Sequence, residues 1–144
     1  MISTKGRYAL RLMIDLAMYS NGEFVRLKDI SERESISTKY LEQVVALLCK
    51  ANLVLSLRGN NGGYRLAKDP NDYTAGEILR AAEGTLSPVA CLSCPVNTCE
   101  RQGICSTLEF WEGFNDVVNN YVDSIKLSDL VEKYRNKITD DYSI

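Results

Sequence analysis

A glycine-rich basic turn, Arg58-Gly-Asn-Asn-Gly-Gly63, follows directly on two short amphipathic segments, and no other stretch of this sequence restricts the fold as strongly. Leu53 to Leu57 before it alternates like a strand and Tyr64 to Leu66 after it returns, so the three pieces read as a β-hairpin. Glycines are needed where φ turns positive or where a backbone must come close to another surface. Arg58, Arg65 and Lys68 flank the tip. Upstream, Leu27 and Ile30 share one face of a short helix over 27–33, and Glu34 to Ile36 makes a turn. Ser37 then caps a helix to about Asn52, in which Leu41, Val44, Val45 and Leu48 recur at i, i+3, i+4 and i+7. Two such helices and a three-residue turn make a helix-turn-helix, and a basic hairpin immediately behind it makes a winged-helix DNA-binding domain. A longer helix over 3–19, with Ala9, Leu10, Leu12, Met13, Leu16 and Ala17 at helical spacing, faces the core and is closed by Asn21-Gly22. Phe24 to Arg26 is long enough only for a bridge strand. The expected class is mainly α with a small β-hairpin, with the winged helix-turn-helix occupying residues 1–70.

Charge agrees with that division. Residues 1–70 hold 11 Lys/Arg against 7 Asp/Glu, net +4, whereas residues 71–144 hold 6 against 12, net -6. A basic half suits a phosphate-binding module, and an acidic half suits a part that faces other partners. The length of 144 residues allows one compact domain or a small domain with a helical appendage, and 45% hydrophobic with 25% charged residues is a soluble, globular composition. The longest apolar run, Val44 to Cys49, is far below the roughly 18 residues that cross a bilayer. Met1 to Tyr8 has no apolar signal core, so the chain is expected to be cytosolic, without membrane contact. There is no His, which removes Ser-His-Asp and Cys-His catalysis as well as imidazole ligation from within the chain.

Residues 71–144 are expected to comprise a connecting helix, a cysteine loop (91–105), a dimerisation helix (106–125) and a C-terminal tail. Thr74-Ala-Gly-Glu77 reads as a capping box opening a helix that Gly84 stops. Cys91, Cys94, Cys99 and Cys105 then fall within fifteen residues, in a loop interrupted by Pro88, Pro95 and Gly103. In a reducing compartment such a loop concentrates thiols in order to hold a soft metal or an iron-sulfur cluster. Ser106-Thr-Leu-Glu109 reads as a second capping box, and Leu108, Trp111, Val118, Val122 and Ile125 form a narrow stripe suited to pairing with a second copy, as a palindrome reader requires. Thiolates just before that helix are stabilised by its dipole. Ser128 caps a last short helix containing Leu130, Val131 and Tyr134, and the tail after Lys137 is expected to be disordered. Cys49, on the apolar face of the third helix, reads as a packing residue. A zinc-stapled interaction module is the neighbouring alternative, but its usual second C-x2-C is here Cys99-x5-Cys105. A thiol redox enzyme built on Cys91-Leu-Ser-Cys94 would need a βαβ pattern that the sequence lacks.

Lys5-Gly-Arg-Tyr8, Asp29-Ile-Ser-Glu-Arg33, Tyr40-Leu-Glu-Gln43, the wing Arg58-Gly-x-x-Gly-Gly-Tyr64 and the Cys99-x5-Cys105 loop before a Trp-bearing helix resemble, in the same order, the IscR-type family of dimeric winged-helix transcription factors. The resemblance covers roughly residues 3–135. It implies a homodimer on a double-stranded DNA operator, with Thr38, Lys39, Tyr40, Glu42 and Gln43 at the start of the recognition helix and Arg58-Gly59 in the wing position that reaches the minor groove. The chemistry agrees: Lys and Tyr hold phosphates, Gln pairs with adenine and Glu accepts from a cytosine amine. Arg65 is expected to add a phosphate contact from the wing. Cluster-binding members hold a 2Fe-2S group with three Cys and one His, and that His position falls on Leu108, which cannot ligate. An extra cysteine is present instead, so Cys91 and Cys94 compete for or share one ligand role beside Cys99 and Cys105. Four thiolates suffice for 2Fe-2S, the favoured cluster, or 4Fe-4S. The implied function is sensing of iron-sulfur, redox or nitric-oxide status, with a cluster-free regulator of cysteine metabolism as the alternative within the family.

Overall fold

Ser3 starts the first helix: its hydroxyl accepts from the Lys5 N–H at 3.2 Å, and α1 (Thr4–Tyr19) follows. In the structure, a computed structural model describing residues 1–142, α1 buries Ala9, Leu12, Met13 and Leu16, the face the spacing predicts. The chain leaves α1 through Asn21 and Gly22, both at positive φ. The helix-turn-helix consists of α2 (Leu27–Glu34) and α3 (Thr38–Lys50), joined through Ser35 in the left-handed region and capped at Ser37, which accepts from the Tyr40 N–H at 3.3 Å. The wing is β1 (Val54–Leu57) paired antiparallel with β2 (Gly63–Leu66), Val54 lying opposite Leu66 and Leu57 opposite Gly63. The expected bridge strand is a single residue: Val25 and Tyr64 exchange two backbone hydrogen bonds of 2.8 Å. The fold is thus a mainly helical winged helix, as the sequence implies.

Gly63 makes that junction possible. Its φ is +147°, and a Cβ there would overlap the Val25 carbonyl and approach the Arg26 nitrogen at 3.1 Å. Gly63→Ala should therefore cost about 2 kcal/mol or more of stability, and thermal unfolding of the purified protein would register a fall of several degrees.

Tyr73 ties the second half of the chain to the first. It is fully buried, donates its hydroxyl to the Leu53 carbonyl at 2.7 Å and accepts from the Lys68 N–H at 2.9 Å. Behind it runs α4 (Ala75–Glu83), with Thr74 accepting from the Glu77 N–H at 3.1 Å. Only that half of the capping box forms, because the Glu77 carboxylate takes the Lys68 ammonium at 3.3 Å. Lys68 therefore sits at the foot of the hairpin, paired with Glu77 and over the Tyr73 ring, rather than beside the tip. At the other end of α4, Glu83 accepts from the Ser3 N–H, the Ser3 hydroxyl and the Gly6 N–H at 2.8, 2.7 and 2.9 Å. Burial works to raise its pKa, but these bonds prevail and hold its carboxyl below the usual range. Two helices complete the described residues, α5 (Leu108–Ser124) and α6 (Leu127–Tyr142). One core joins Leu12, Leu16, Leu41 and Leu48 to Tyr73, Ile78, Leu127 and Val131.

The second half departs from expectation in three places. Ser106 and Thr107 do not cap α5: Thr107 occupies the N-cap position without a side-chain cap, and its hydroxyl lies instead 3.7 Å from the Cys105 sulfur. Ser128 does not cap the last helix, which begins one residue earlier at the buried Leu127, with the Asp129 carboxylate accepting from the Lys126 N–H at 2.9 Å. That helix is not short, and the tail expected to be disordered after Lys137 is helical through Tyr142. The rest of that tail lies outside the described residues. Finally, Leu108, Trp111, Val118, Val122 and Ile125 are half-buried, not a bare stripe. Asn119 and Asp123 on the same side reach Arg80 of α4 at 2.7 Å each, so this side faces inward. A different line points away from the domain: Phe110, Phe114, Val117 and Tyr121, which are 63, 47, 68 and 64% exposed.

Candidate nucleic-acid interface and cysteine loop

The amphipathic character of α3 decides which of its side chains are available. Leu41, Val44, Val45 and Leu48 are buried. Thr38, Lys39, Tyr40, Glu42 and Gln43, the five recognition residues read from the sequence, all lie on the solvent side at or near the helix start. One neighbour was not anticipated. The Tyr40 ring meets Tyr8 of α1 edge-on, with centroids 6.1 Å apart and planes at 87°, and the Arg11 guanidinium lies 5.7 Å from the Tyr8 centroid. The aromatic pair restricts where Tyr40 points. Nothing in the local pattern of α3 signals it, because Tyr8 is more than thirty positions upstream.

Beneath this surface Arg33 and Asp15 lock α2 to α1. The Asp15 carboxylate is buried and accepts two hydrogen bonds from the guanidinium, at 2.9 and 2.7 Å, and Arg33 also stacks 4.3 Å over the Tyr19 ring. Paired hydrogen bonds of this geometry add directional rigidity to the charge pairing.

At the wing, Arg58 and Gly59 are exposed at the tip. Arg65 is half-buried behind them: its guanidinium donates to the Gly22 carbonyl at 3.1 Å and lies 4.6 Å over the Phe24 ring. Arg26 donates to the Asn60 carbonyl at 2.6 Å. Two arginines thus tie the hairpin to the segment between α1 and α2. Arg26 reads from the sequence only as the end of a bridge strand, since nothing local connects its side chain with a turn thirty-four residues away.

The cysteine loop is held by short-range bonds, among them Ser93 to the Ala90 carbonyl at 2.8 Å, the Cys99 N–H to Asn97 at 2.9 Å and the Gln102 N–H to the Cys99 carbonyl at 3.1 Å. Cys94, Cys99 and Cys105 are exposed and Cys91 is half-buried, all as free thiols. Among the described residues no three Cys, Asp or Glu side chains are gathered so as to hold a metal ion. The donor chemistry suits iron and sulfide, but these sulfurs are not assembled as a ligand set. Cys105 differs from the others. The Thr107 N–H and hydroxyl and the Leu108 N–H hold its thiol below the ordinary range, which is how the first turn of α5 favours a thiolate. Cys49 is half-buried against the core, and burial pushes its thiol up.

Comparison with known proteins places this geometry. The Rrf2 family profile, described as an iron-dependent transcriptional regulator, matches residues 2–133. The HTH-type transcriptional regulator IscR of Photobacterium profundum is 37% identical over 130 residues, covering 90% of this chain and 74% of the relative. IscR of Escherichia coli O1:K1 is also 37% identical over 130 residues, covering 90% and 79%. Among solved structures, CymR, the global cysteine regulator of B. subtilis, superposes with a TM-score of 0.75 at 40% identity, covering 92% of this chain and 97% of that one. The T. potens IscR structure gives 0.74 at 37% identity, covering 93% and 88%. These relatives are regulators of transcription, not enzymes. No helix among the described residues is long and apolar enough to cross a membrane.

Proposed function

The chain belongs to the Rrf2 family of transcriptional regulators, and on that footing we propose that it acts in the cytoplasm as a homodimer that reads a roughly palindromic operator and senses iron-sulfur status through its cysteine loop. One juxtaposition carries the reading: four thiols within fifteen residues of sequence lead directly into a helix whose outward face is an exposed apolar line. Residues 1–70 do the reading of DNA, and residues 71–144 connect, sense and pair.

In each half-site the start of α3 enters the major groove. Thr38, Lys39 and Tyr40 hold phosphates, Gln43 reads adenine, and Glu42 accepts from a cytosine amine while disfavouring bases that present only acceptors. Arg58, beside the flexible Gly59, reaches the minor groove, and Arg65 supports the wing from behind while offering its remaining N–H groups to a phosphate. Cys99 and Cys105, with Cys91 and Cys94 sharing the rest, are the ligands for an iron-sulfur cluster, 2Fe-2S or 4Fe-4S. When bound, the cluster supplies a link sensitive to oxygen, nitric oxide and iron supply. The chain's contribution is mechanical: a loop drawn together at its sulfurs restrains Cys105 and, through it, the first turn of α5. A second reading, a cluster-free regulator of cysteine metabolism, draws on the ungathered thiols and on the likeness to CymR.

Operator selection from a random duplex library, followed by titration of variants, tests the DNA part. Arg58→Ala should weaken operator binding about tenfold or more, and Arg65→Ala should lower the salt slope by about one unit. An unchanged affinity for Arg58→Ala defeats the wing assignment.

A further inference from the structure

Arg26 stands where an arginine is a poor choice. It is the N-cap residue of α2, with φ -73° and ψ 141°, and its carbonyl accepts from the Asp29 and Ile30 N–H groups at 3.1 and 3.3 Å. A cap is normally Ser, Thr, Asp or Asn, whose oxygen accepts a hydrogen bond from the first turn. Arg26 supplies no side-chain cap, and it sets a cation at the positive end of a helix. A residue that breaks a local rule marks a place where another requirement prevails. The other requirement is visible at the far end of the side chain, which donates to the Asn60 carbonyl at 2.6 Å.

The surroundings make that contact a brace. Val25, the residue before, is hydrogen-bonded to Tyr64 on both sides at 2.8 Å, so the backbone at 26 is pinned against the base of β2. Gly62 and Gly63 lack the Cβ atoms that would overlap the Leu57 and Val25 carbonyls, and the linker lies flush against the hairpin. From there Arg26 reaches forward over the turn and lines the hollows on both flanks of the wing, one with Phe24, Asp29 and Asn61, the other with Ser56 and Arg58. The turn it crosses, Arg58 to Gly63, has three glycines and few other restraints, its one internal backbone bond running from the Gly62 N–H to the Gly59 carbonyl at 3.0 Å. A tip this free would spread Arg58 over many positions, and ordering it on DNA costs conformational entropy.

We propose that Arg26 is a positioning residue for DNA recognition: by holding the Asn60 carbonyl it fixes the wing tip, and with it Arg58, relative to the recognition helix, without touching DNA itself. This rests on the reading of Arg58 as the wing's DNA contact. It gives the linker between α1 and α2 a part in operator choice.

The test uses the full-length protein, a selected operator duplex, and the variants Arg26→Ser, Arg26→Lys, Arg58→Ala and the double Arg26→Ser/Arg58→Ala. Arg26→Ser installs a good cap, so its melting temperature should stay level or rise by about 1–2 °C, while its operator affinity falls about three- to tenfold. Lysine can also donate to a carbonyl, so Arg26→Lys should recover part of the loss. The double variant should bind within about twofold of Arg58→Ala alone, because the brace acts only through Arg58. Unchanged affinity for Arg26→Ser overturns the proposal. So do additive losses in the double variant with the salt slope falling by about one further unit, which would make Arg26 a direct phosphate contact. If Arg58→Ala is itself silent, the wing reading fails and the brace falls with it; if Arg58→Ala weakens binding and Arg26→Ser does not, only the brace is lost.

Discussion

Placing glutamate at both Phe114 and Val117 should turn the protein into a monomer and reduce operator affinity by about two orders of magnitude or more. These residues belong to the line Phe110, Phe114, Val117, Tyr121, whose spacing of four, three and four is that of a helix pairing with a helix. Phe110, Trp111 and Phe114 form an aromatic cluster at its upper end, with centroids 5.0 to 6.4 Å apart, the residue type that anchors interfaces. Across a two-fold axis each carboxylate would face apolar surface and its own symmetry mate, an arrangement that is both desolvated and repulsive. A monomer meets one half-site at a time and loses the advantage of the second contact. The fold itself should survive, because both positions are exposed, so circular dichroism and melting temperature serve as controls. Val118→Glu, on the half-buried side, should instead lower stability, since that side lies on α4. Sedimentation of an intact dimer for the Phe114/Val117 pair would overturn the assignment of this face.

Most of the fold of residues 1–70 was legible because each of its signals is local. The Ser37 cap, the apolar rhythm of α3 and the glycines of the wing act over a few residues, and a chain can only satisfy them in one way. The second half depended on long-range facts. In α5, two apolar lines run along one helix, and only the docking of Asn119 and Asp123 onto Arg80 decides which is inside. Ser106 looked like a cap by type and position, yet the Thr107 hydroxyl is turned toward Cys105, and the helix begins beyond both. The length of α6 was underestimated for a related reason: Leu127 and Val131 anchor it in the core contributed by α1 and α3, and an anchored helix propagates past residues that have little helical preference of their own.

Within the candidate site the same division holds. The exposure of Thr38, Lys39, Tyr40, Glu42 and Gln43 follows from the face that Leu41, Val44 and Leu48 bury. What holds those side chains in place comes from elsewhere: Tyr8 against Tyr40, Arg26 across to Asn60, Arg65 back to Gly22. Sequence spacing identifies side chains that can touch DNA, whereas partners thirty or more positions away determine how narrowly each is aimed.

The cysteine loop carries the other large effect. Protein purified under strict exclusion of oxygen and supplied with iron and sulfide should take up both and show visible charge-transfer absorption, and Cys99→Ala or Cys105→Ala should abolish that absorption. Cys105 is the most exacting position, since the Thr107 and Leu108 N–H groups favour its thiolate and the residue adjoins α5. Cys91→Ala and Cys94→Ala, made separately, decide the remaining ligands: loss of the spectrum in both establishes a four-thiolate site, and a variant that keeps it identifies a spare thiol. Zinc without colour would make the loop a structural staple, and neither metal would favour the cluster-free reading. Binding alone does not make a sensor. A cluster that signals must be bound more tightly in one DNA-binding state than in the other, because a ligand shifts an equilibrium only by its differential affinity. Drawing the loop together should stiffen the start of α5 and so constrain the spacing of the two recognition helices, altering operator affinity about 5- to 150-fold, the usual range of coupling between sites. Loaded and apo dimers binding every selected operator equally would sink the sensor while leaving a cluster that serves only to order the loop.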